Sequence, residues 1–192
     1  MVSGVILAGG ESRRMGGLDK GLLMFDGQPL IQHVIQRIAS QVNELLINAN
    51  RHPAAYAAFG YPVVRDDGTD FLGPLAGMLA GLKAAQHEWV LTVPCDTPFL
   101  PADLVSRLSL AATAEVDIVV ASAARIHATV MLCRRSLAPN LANALAQDER
   151  KVQHWQALQR RAFVEFADES AFANLNTPQQ LAGAGHDGQH PD

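Results

Sequence analysis

Two adjacent glycines and three cations share one short stretch of this chain. Gly9-Gly10-Glu11-Ser12-Arg13-Arg14-Met15-Gly16-Gly17-Leu18-Asp19-Lys20 places Arg13, Arg14 and Lys20 beside a backbone that a ligand can approach closely. Successive N–H groups in such a loop form a concavity for anions, and with the fixed charges they suit a triphosphate. Two familiar phosphate loops do not fit. Walker A needs Gly-Lys followed by Ser or Thr, whereas Lys20 lies between Asp19 and Gly21. The dinucleotide pattern G-x-G-x-x-G fails because Gly9 and Gly10 are adjacent and the next glycine is Gly16. A bare glycine pair is as readily a turn with solvated charges. The apolar run before it and the three cations favour phosphate binding but name no reaction.

A second candidate is Asp96, within Pro94-Cys95-Asp96-Thr97-Pro98. A carboxylate just past an apolar run can reach a bound metal, and Mg²⁺ takes one or two carboxylates and fills its shell with phosphate and water. A helix cap is the bland alternative, but Asp96 lies too far upstream of the helix expected after Pro101. Asp66 and Asp67 read first as a surface turn. Cys95 and Cys133 read as packed thiols, since neither has a histidine partner in sequence. His186 and His190 have no cysteines at zinc spacing.

Alternating apolar runs and amphipathic stretches must position these groups. Strands are predicted at 4–8, 21–25, 44–48, 61–64, 89–93, 117–121, 129–133 and 163–166. A turn at Asp26-Gly27 closes the second of them. Pro29 opens a helix whose stripe is Leu30, Ile31, Val34, Ile35 and Ile38. Further helices are predicted at 53–60, 74–86, from Pro101 onward, and at 136–147 and 152–161, with a final helical turn at 178–182. The alternation predicts an α/β three-layer sandwich around a mostly parallel, Rossmann-like sheet. Ligands of such sheets sit beyond the carboxyl ends of the strands, which points to 9–20, 48–50, 66–73 and 95–99. One domain is expected over 1–182, followed by a Gly-, His- and Asp-rich disordered tail over 183–192.

The chain has 192 residues, 48% hydrophobic and 18% charged, with a formal net charge of -4. That balance argues against nucleic acid as a partner. No run approaches the ~20 apolar residues of a membrane span, and the start has no basic n-region. Two cysteines far apart in sequence form no disulfide framework. The expected setting is the cytoplasm.

Leu7-Ala8-Gly9-Gly10-Glu11-Ser12-Arg13-Arg14-Met15-Gly16, Asp19-Lys20 and Gly27-Gln28-Pro29-Leu30 resemble the opening motif of the molybdenum cofactor guanylyltransferases, within the wider nucleotidyltransferase superfamily. Asn48-Ala49-Asn50-Arg51, Gly73-Pro74-Leu75-Ala76-Gly77, Pro94-Cys95-Asp96-Thr97-Pro98 and Asn174-Leu175-Asn176-Thr177-Pro178 extend the likeness to about Leu181. It implies a nucleotide-diphospho-sugar transferase-like fold and transfer of GMP from GTP to molybdopterin, with release of pyrophosphate and Mg²⁺ as cofactor. It also implies Lys20, Arg14 and Asp96 as catalytic residues, with Asp96 holding the metal. Leu7, Ala8, Gly9, Gly10, Arg14, Lys20, Asn48, Asp66, Asp96, Asn174 and Asn176 would bind substrates. Asn50 is read as structural, and 73–77 as shaping the base pocket. His127 and Thr129 are expected toward the pterin, although His127-Ala128-Thr129 departs from the His-Pro-Thr of many relatives. Leu7-Ala8-Gly9-Gly10 is similar to the guanylyl type, the cytidylyl type tending to alanine at the third position. Transient docking to other molybdenum cofactor biosynthesis proteins is expected from an exposed site and a fragile product, and no residue pattern carries it.

Two alternatives are weighed. Sugar-1-phosphate nucleotidyltransferases are often longer, and Asn174-Leu175-Asn176-Thr177-Pro178 speaks against them. A non-catalytic nucleotide-binding module or pterin carrier would not need both Lys20 and Asp96.

Overall fold

The computed structural model describes residues 1–9, 19–67 and 73–175. The elements run β1 (Val2–Leu7), β2 (Met24–Phe25), β3 (Gln28–Pro29), α1 (Leu30–Ile38), β4 (Glu44–Asn48), α2 (Pro53–Ala57), β5 (Val63–Val64) and α3 (Pro74–Ala84). Then follow β6 (Trp89–Pro94), α4 (Leu104–Leu110), β7 (Ile118–Ser122), β8 (Ile126–Arg134), α5 (Ala138–Ala146), α6 (Val152–Ala157) and β9 (Arg161–Glu165).

The described residues form a seven-stranded sheet in the order β5-β4-β1-β6-β8-β7-β9. β8 runs antiparallel to both its neighbours and the other pairings are parallel. β1 is therefore flanked by β4 on one side and β6 on the other, and their carboxyl ends open on one edge. Strand alternation divides the core into two layers. Ile6, Ile47, Leu91, Val93 and Val119 face α1, α2 and α4, where Ile31, Tyr56 and Leu104 meet them. Val5, Leu46, Val90, Ile118 and Met131 face α3, α5 and α6, meeting Met78, Leu141 and Trp155. Each fully buried aliphatic side chain contributes ~1.5–3 kcal/mol, so the sheet is held from both faces.

α3 lies unusually close to the sheet. A Cβ at Gly77 would come within 2.2 Å of Asn48 Oδ1, and one at Gly81 within 2.8 Å of the Val5 methyl carbons. Glycine at these two positions lets the helix rest on β1 and β4.

Several predicted elements are corrected. Residues 21–25 are not one strand. Lys20–Leu22 is a 3₁₀ turn, closed by Leu22 N donating to Asp19 O and Leu23 N to Lys20 O. Only Met24–Phe25 pairs, with Gln28–Pro29. The intervening Asp26 and Gly27 both have positive φ, 46° and 75°, the pattern of a two-residue type I′ hairpin turn. The helix predicted from Pro101 begins at Leu104. The one predicted over 152–161 ends at Ala157, and β9 starts at Arg161. β8 is longer than the predicted 129–133, and its register against β7 shifts between Val120 and Ser122. The expected tail 183–192 and helical turn 178–182 lie outside the described residues.

Candidate functional site

β1, β4 and β6 are buried on both sides and end together, so the backbone beyond them lines a common hollow. Ala8 N donates to Asn48 O at 2.8 Å, and Cys95 N to Leu7 O at 3.1 Å, carrying the pairing one residue past each strand. The resulting cavity, about 370 Å³, is lined by Leu7, Ala8, Gly9, Lys20, Asn48 and Asp66 on one side. Gly73, Pro74, Gly77, Pro94, Cys95, Asp96, Thr129 and Asn174 complete it. Every described member of the expected substrate-binding set is here. Gly10, Arg13, Arg14 and Asn176 lie outside the described residues.

One end of the cavity centres on Asp96, which is 7% exposed. Lys20 Nζ stands 3.5 Å from its Oδ2, and Asn174 Nδ2 donates to its Oδ1 at 2.7 Å. Thr97 Oγ1 donates to Pro94 O at 2.9 Å and closes the turn that presents the aspartate. Asn174 is placed by its neighbour. Leu175 N donates to Asp96 O at 3.0 Å, and the Leu175 side chain packs with Phe25 and Leu30 in a small separate core. The β2–β3 hairpin thus supports the segment that carries Asn174. Asp96 caps no helix, and the N-cap of α4 is Asp103.

The other end is a closed polar lock. Asn48 Nδ2 donates to Asp66 Oδ1 and Asn50 Nδ2 to Asp66 Oδ2, both at 2.8 Å, and Asp66 N donates to Asn50 Oδ1 at 2.9 Å. Asn48 is 1% exposed. Both oxygens of Asp66 are therefore engaged by the two amides that end β4, which fixes the wall under α3. Asn50 is spent on Asp66 and does not line the cavity.

Thr129 reaches the cavity because β8 slips out of register there. Its carbonyl accepts from Thr92 Oγ1 at 2.9 Å, while Gln156 Nε2 holds Ala128 O at 2.8 Å. His127 does not line the cavity. Its ring stacks on Phe172 with centroids 4.4 Å apart, and Nε2 lies 3.0 Å from Glu169 Oε2. Burial, then the nearby carboxylates of Asp96 and Asp19, pushes the Cys95 thiol well above its ordinary range. It stays protonated, which fits a packed thiol and not a nucleophile. Sequence reasoning gave no role to Asp19 or Tyr56, yet Tyr56 OH donates to Oδ1 of Asp19, the residue before Lys20. A lone tyrosine in an alanine-rich five-residue helix gives no signal of that contact.

Among the described residues no group of three or more His, Cys, Asp or Glu could hold a metal ion. Two carboxylates line the cavity: Asp66, whose oxygens are held by Asn48 and Asn50, and Asp96, which has an amide and an ammonium on its two oxygens. Such a donor set fits a cation that brings most of its shell on a phosphate substrate.

Residues 4–163 match the family model of the MobA-like NTP transferase domain. The molybdenum cofactor guanylyltransferase of Shewanella sp. (strain MR-4) is 48% identical over 182 residues, covering 93% of this chain and 92% of that protein. That of Burkholderia orbicola (strain MC0-3) is 47% identical over 193 residues, with 94% of each covered. Among solved structures, molybdopterin-guanine dinucleotide biosynthesis protein A from Archaeoglobus fulgidus superposes with a TM-score of 0.77 at 23% identity, covering 96% of each chain. The 4-diphosphocytidyl-2C-methyl-D-erythritol synthase from Anaerococcus prevotii gives 0.76 at 14% identity, over 96% of this chain and 94% of that one. These last two likenesses concern the fold.

Proposed function

The chain belongs to the molybdenum cofactor guanylyltransferase family, within the MobA-like NTP transferases, and we propose from its site that it transfers GMP from GTP to molybdopterin in a Mg²⁺-dependent reaction. The observation that carries this reading is the meeting of Lys20, Asp96 and Asn174 at one carboxylate, at the carboxyl ends of β1 and β6.

A terminal phosphate oxygen of molybdopterin attacks the α-phosphorus of GTP. A new phosphoanhydride bond forms, the bond from the α-phosphorus to the β-bridging oxygen breaks, and pyrophosphate leaves with the electron pair. No enzyme nucleophile is required, because the acceptor phosphate is already an anion. Catalysis is then positioning and charge stabilisation. Lys20 supplies positive charge to the phosphates as negative charge shifts onto the leaving group. Asp96 is the residue that would hold Mg²⁺, whose chemistry is to neutralise the triphosphate oxygens. Asn174 keeps the carboxylate oriented. The lock of Asn48, Asp66 and Asn50 fixes the wall against which the nucleoside lies, and Gly73, Pro74 and Gly77 line the same cavity. Arg14, Gly10 and Asn176 complete the set expected to contact substrates. A cytoplasmic setting, where GTP is supplied, and transient docking to other molybdenum cofactor biosynthesis proteins belong to the same reading.

The test is incubation with molybdopterin, Mg²⁺ and each of α-labelled GTP, CTP and ATP. Labelled dinucleotide from GTP alone is expected. Transfer from CTP at an equal rate, or from none of the three, contradicts the proposal.

A further inference from the structure

Tyr56 is the buried residue of α2, with no exposed surface. It belongs to the core beneath the sheet, yet its hydroxyl leaves that core to meet the loop that carries Lys20. The hydroxyl donates to Asp19 Oδ1. Asp19 occupies the N-cap of the 3₁₀ turn Lys20–Leu22 but makes no side-chain capping bond, so its carboxylate serves the tyrosine instead of its own turn. Gly21 completes the contact. A Cβ there would stand 2.6 Å from the Tyr56 hydroxyl and 3.3 Å from Cys95 Sγ. The tripeptide Asp19-Lys20-Gly21 is thus clasped between α2 and the segment that presents Asp96.

Building on the guanylyl-transfer reading, we infer that Tyr56 is a positioning residue. Its hydroxyl, through Asp19, holds Lys20 where the phosphates of the nucleotide must lie. Burial first, and with it the bond to Asp19, pushes the phenol far above its ordinary range. The proton therefore stays on Tyr56, the donor in that bond. A lysine has a flexible four-carbon stem, so the backbone beneath it is what an outside residue can fix. Losing that anchor costs the transition state more than the ground state, because the charge that Lys20 meets develops during transfer.

Tyr56→Phe removes the donor and keeps the ring in the core. Asp19→Ala removes the acceptor from the other side without touching the core. Each is expected to lower kcat about tenfold with KM for GTP held within about twofold, the signature of an interaction made in the transition state. In a Lys20→Ala background neither change should lower kcat further, since the residue they act through is gone. Equal losses with and without Lys20, a loss carried by KM, or no loss in either variant overturns the inference. A second readout does not depend on turnover. Lys20 acylation by an amine reagent, mapped by mass spectrometry against Lys83, should rise in both variants relative to the parent. Unchanged Lys20 labelling overturns the inference even where transfer is seen. Altered labelling in a protein that makes no dinucleotide overturns the guanylyl-transfer reading and leaves the positioning of Lys20 by Tyr56 standing.

Discussion

Lys20 Nζ lies 3.5 Å from Asp96 Oδ2, although 76 positions in the chain separate the two residues. The contact is made by topology. β1 and β6 are parallel neighbours in register from Val2–Trp89 to Leu7–Pro94, so whatever follows one strand faces whatever follows the other. A cation after the first and an anion after the second are brought to one point before any substrate arrives.

Removing either charge should therefore abolish most turnover while leaving the fold in place. Lys20→Ala and Asp96→Asn are each expected to cost about 10²–10³ in kcat, the usual loss when one preorganised charge-stabilising group is deleted. Steady-state label transfer from GTP measures it, with circular dichroism as the control for folding. A rate for Lys20→Ala within about twofold of the parent contradicts the role given to it.

Asn174→Ala leaves Asp96 Oδ1 without its 2.7 Å donor. About a tenfold loss of kcat is expected, smaller than that for Asp96→Asn, with a raised Mg²⁺ concentration for half-maximal rate, as for an outer residue that orients a metal ligand. Chelation of divalent ions should stop transfer by the parent enzyme, and added Mg²⁺ should restore it. Full activity in the presence of a chelator contradicts the assignment of Asp96 to a metal.

Gly77→Ala should destabilise the protein by about 1–3 kcal/mol, because overpacking forces the backbone to shift. The added carbon would stand 2.2 Å from Asn48 Oδ1 and 3.3 Å from Leu7 Cδ2, so relief requires moving α3 or breaking the lock to Asp66. Scanning calorimetry reads the first effect and KM for GTP the second. An unchanged melting temperature means that α3 is not seated as described.

A stability effect is expected far from the site. Arg160 donates to Asp117 through Nε at 2.8 Å and Nη2 at 2.6 Å, holding the Asp117 carboxyl below its ordinary range. A depressed folded value means that the charged form stabilises the fold. The contribution is complete above the ordinary carboxylate range and is lost as pH falls through the depressed value. Asp117→Asn should lower the melting temperature at neutral pH, and the gap should close in strong acid. A gap that does not vary with pH contradicts the ion pair between the starts of β7 and β9.

Much of this was legible in the sequence, and the exceptions have physical causes. The runs predicted as strands at 4–8, 44–48 and 89–93 announce parallel buried strands, and the groups around their ends line the cavity. The turn at Asp26-Gly27 was legible because it is one of the few pairs that accept two positive φ values, but the strand Gln28–Pro29 that makes it a hairpin was not. Gly21 misled the strand prediction. Its neighbours Leu22 and Leu23 look β-like, but the position demands a residue without a side chain beneath the Tyr56 hydroxyl. The ring of His127, expected toward the pterin side, stacks on Phe172, a contact between residues 45 positions apart that local pattern cannot reveal. The lock of Asn50 and Asn48 on Asp66 was half visible, because two amides near a strand end say nothing of which carboxylate they will share.

In the proposed reaction the α-phosphate of GTP moves to molybdopterin and pyrophosphate is the other product. A double-label assay, with GTP carrying distinguishable labels at the α and γ positions, follows both fragments at once. The α label is expected in the dinucleotide and the γ label in pyrophosphate, in equal amounts, with neither released in the absence of molybdopterin. Release of the γ label as inorganic phosphate, or of both labels without an acceptor, would contradict it.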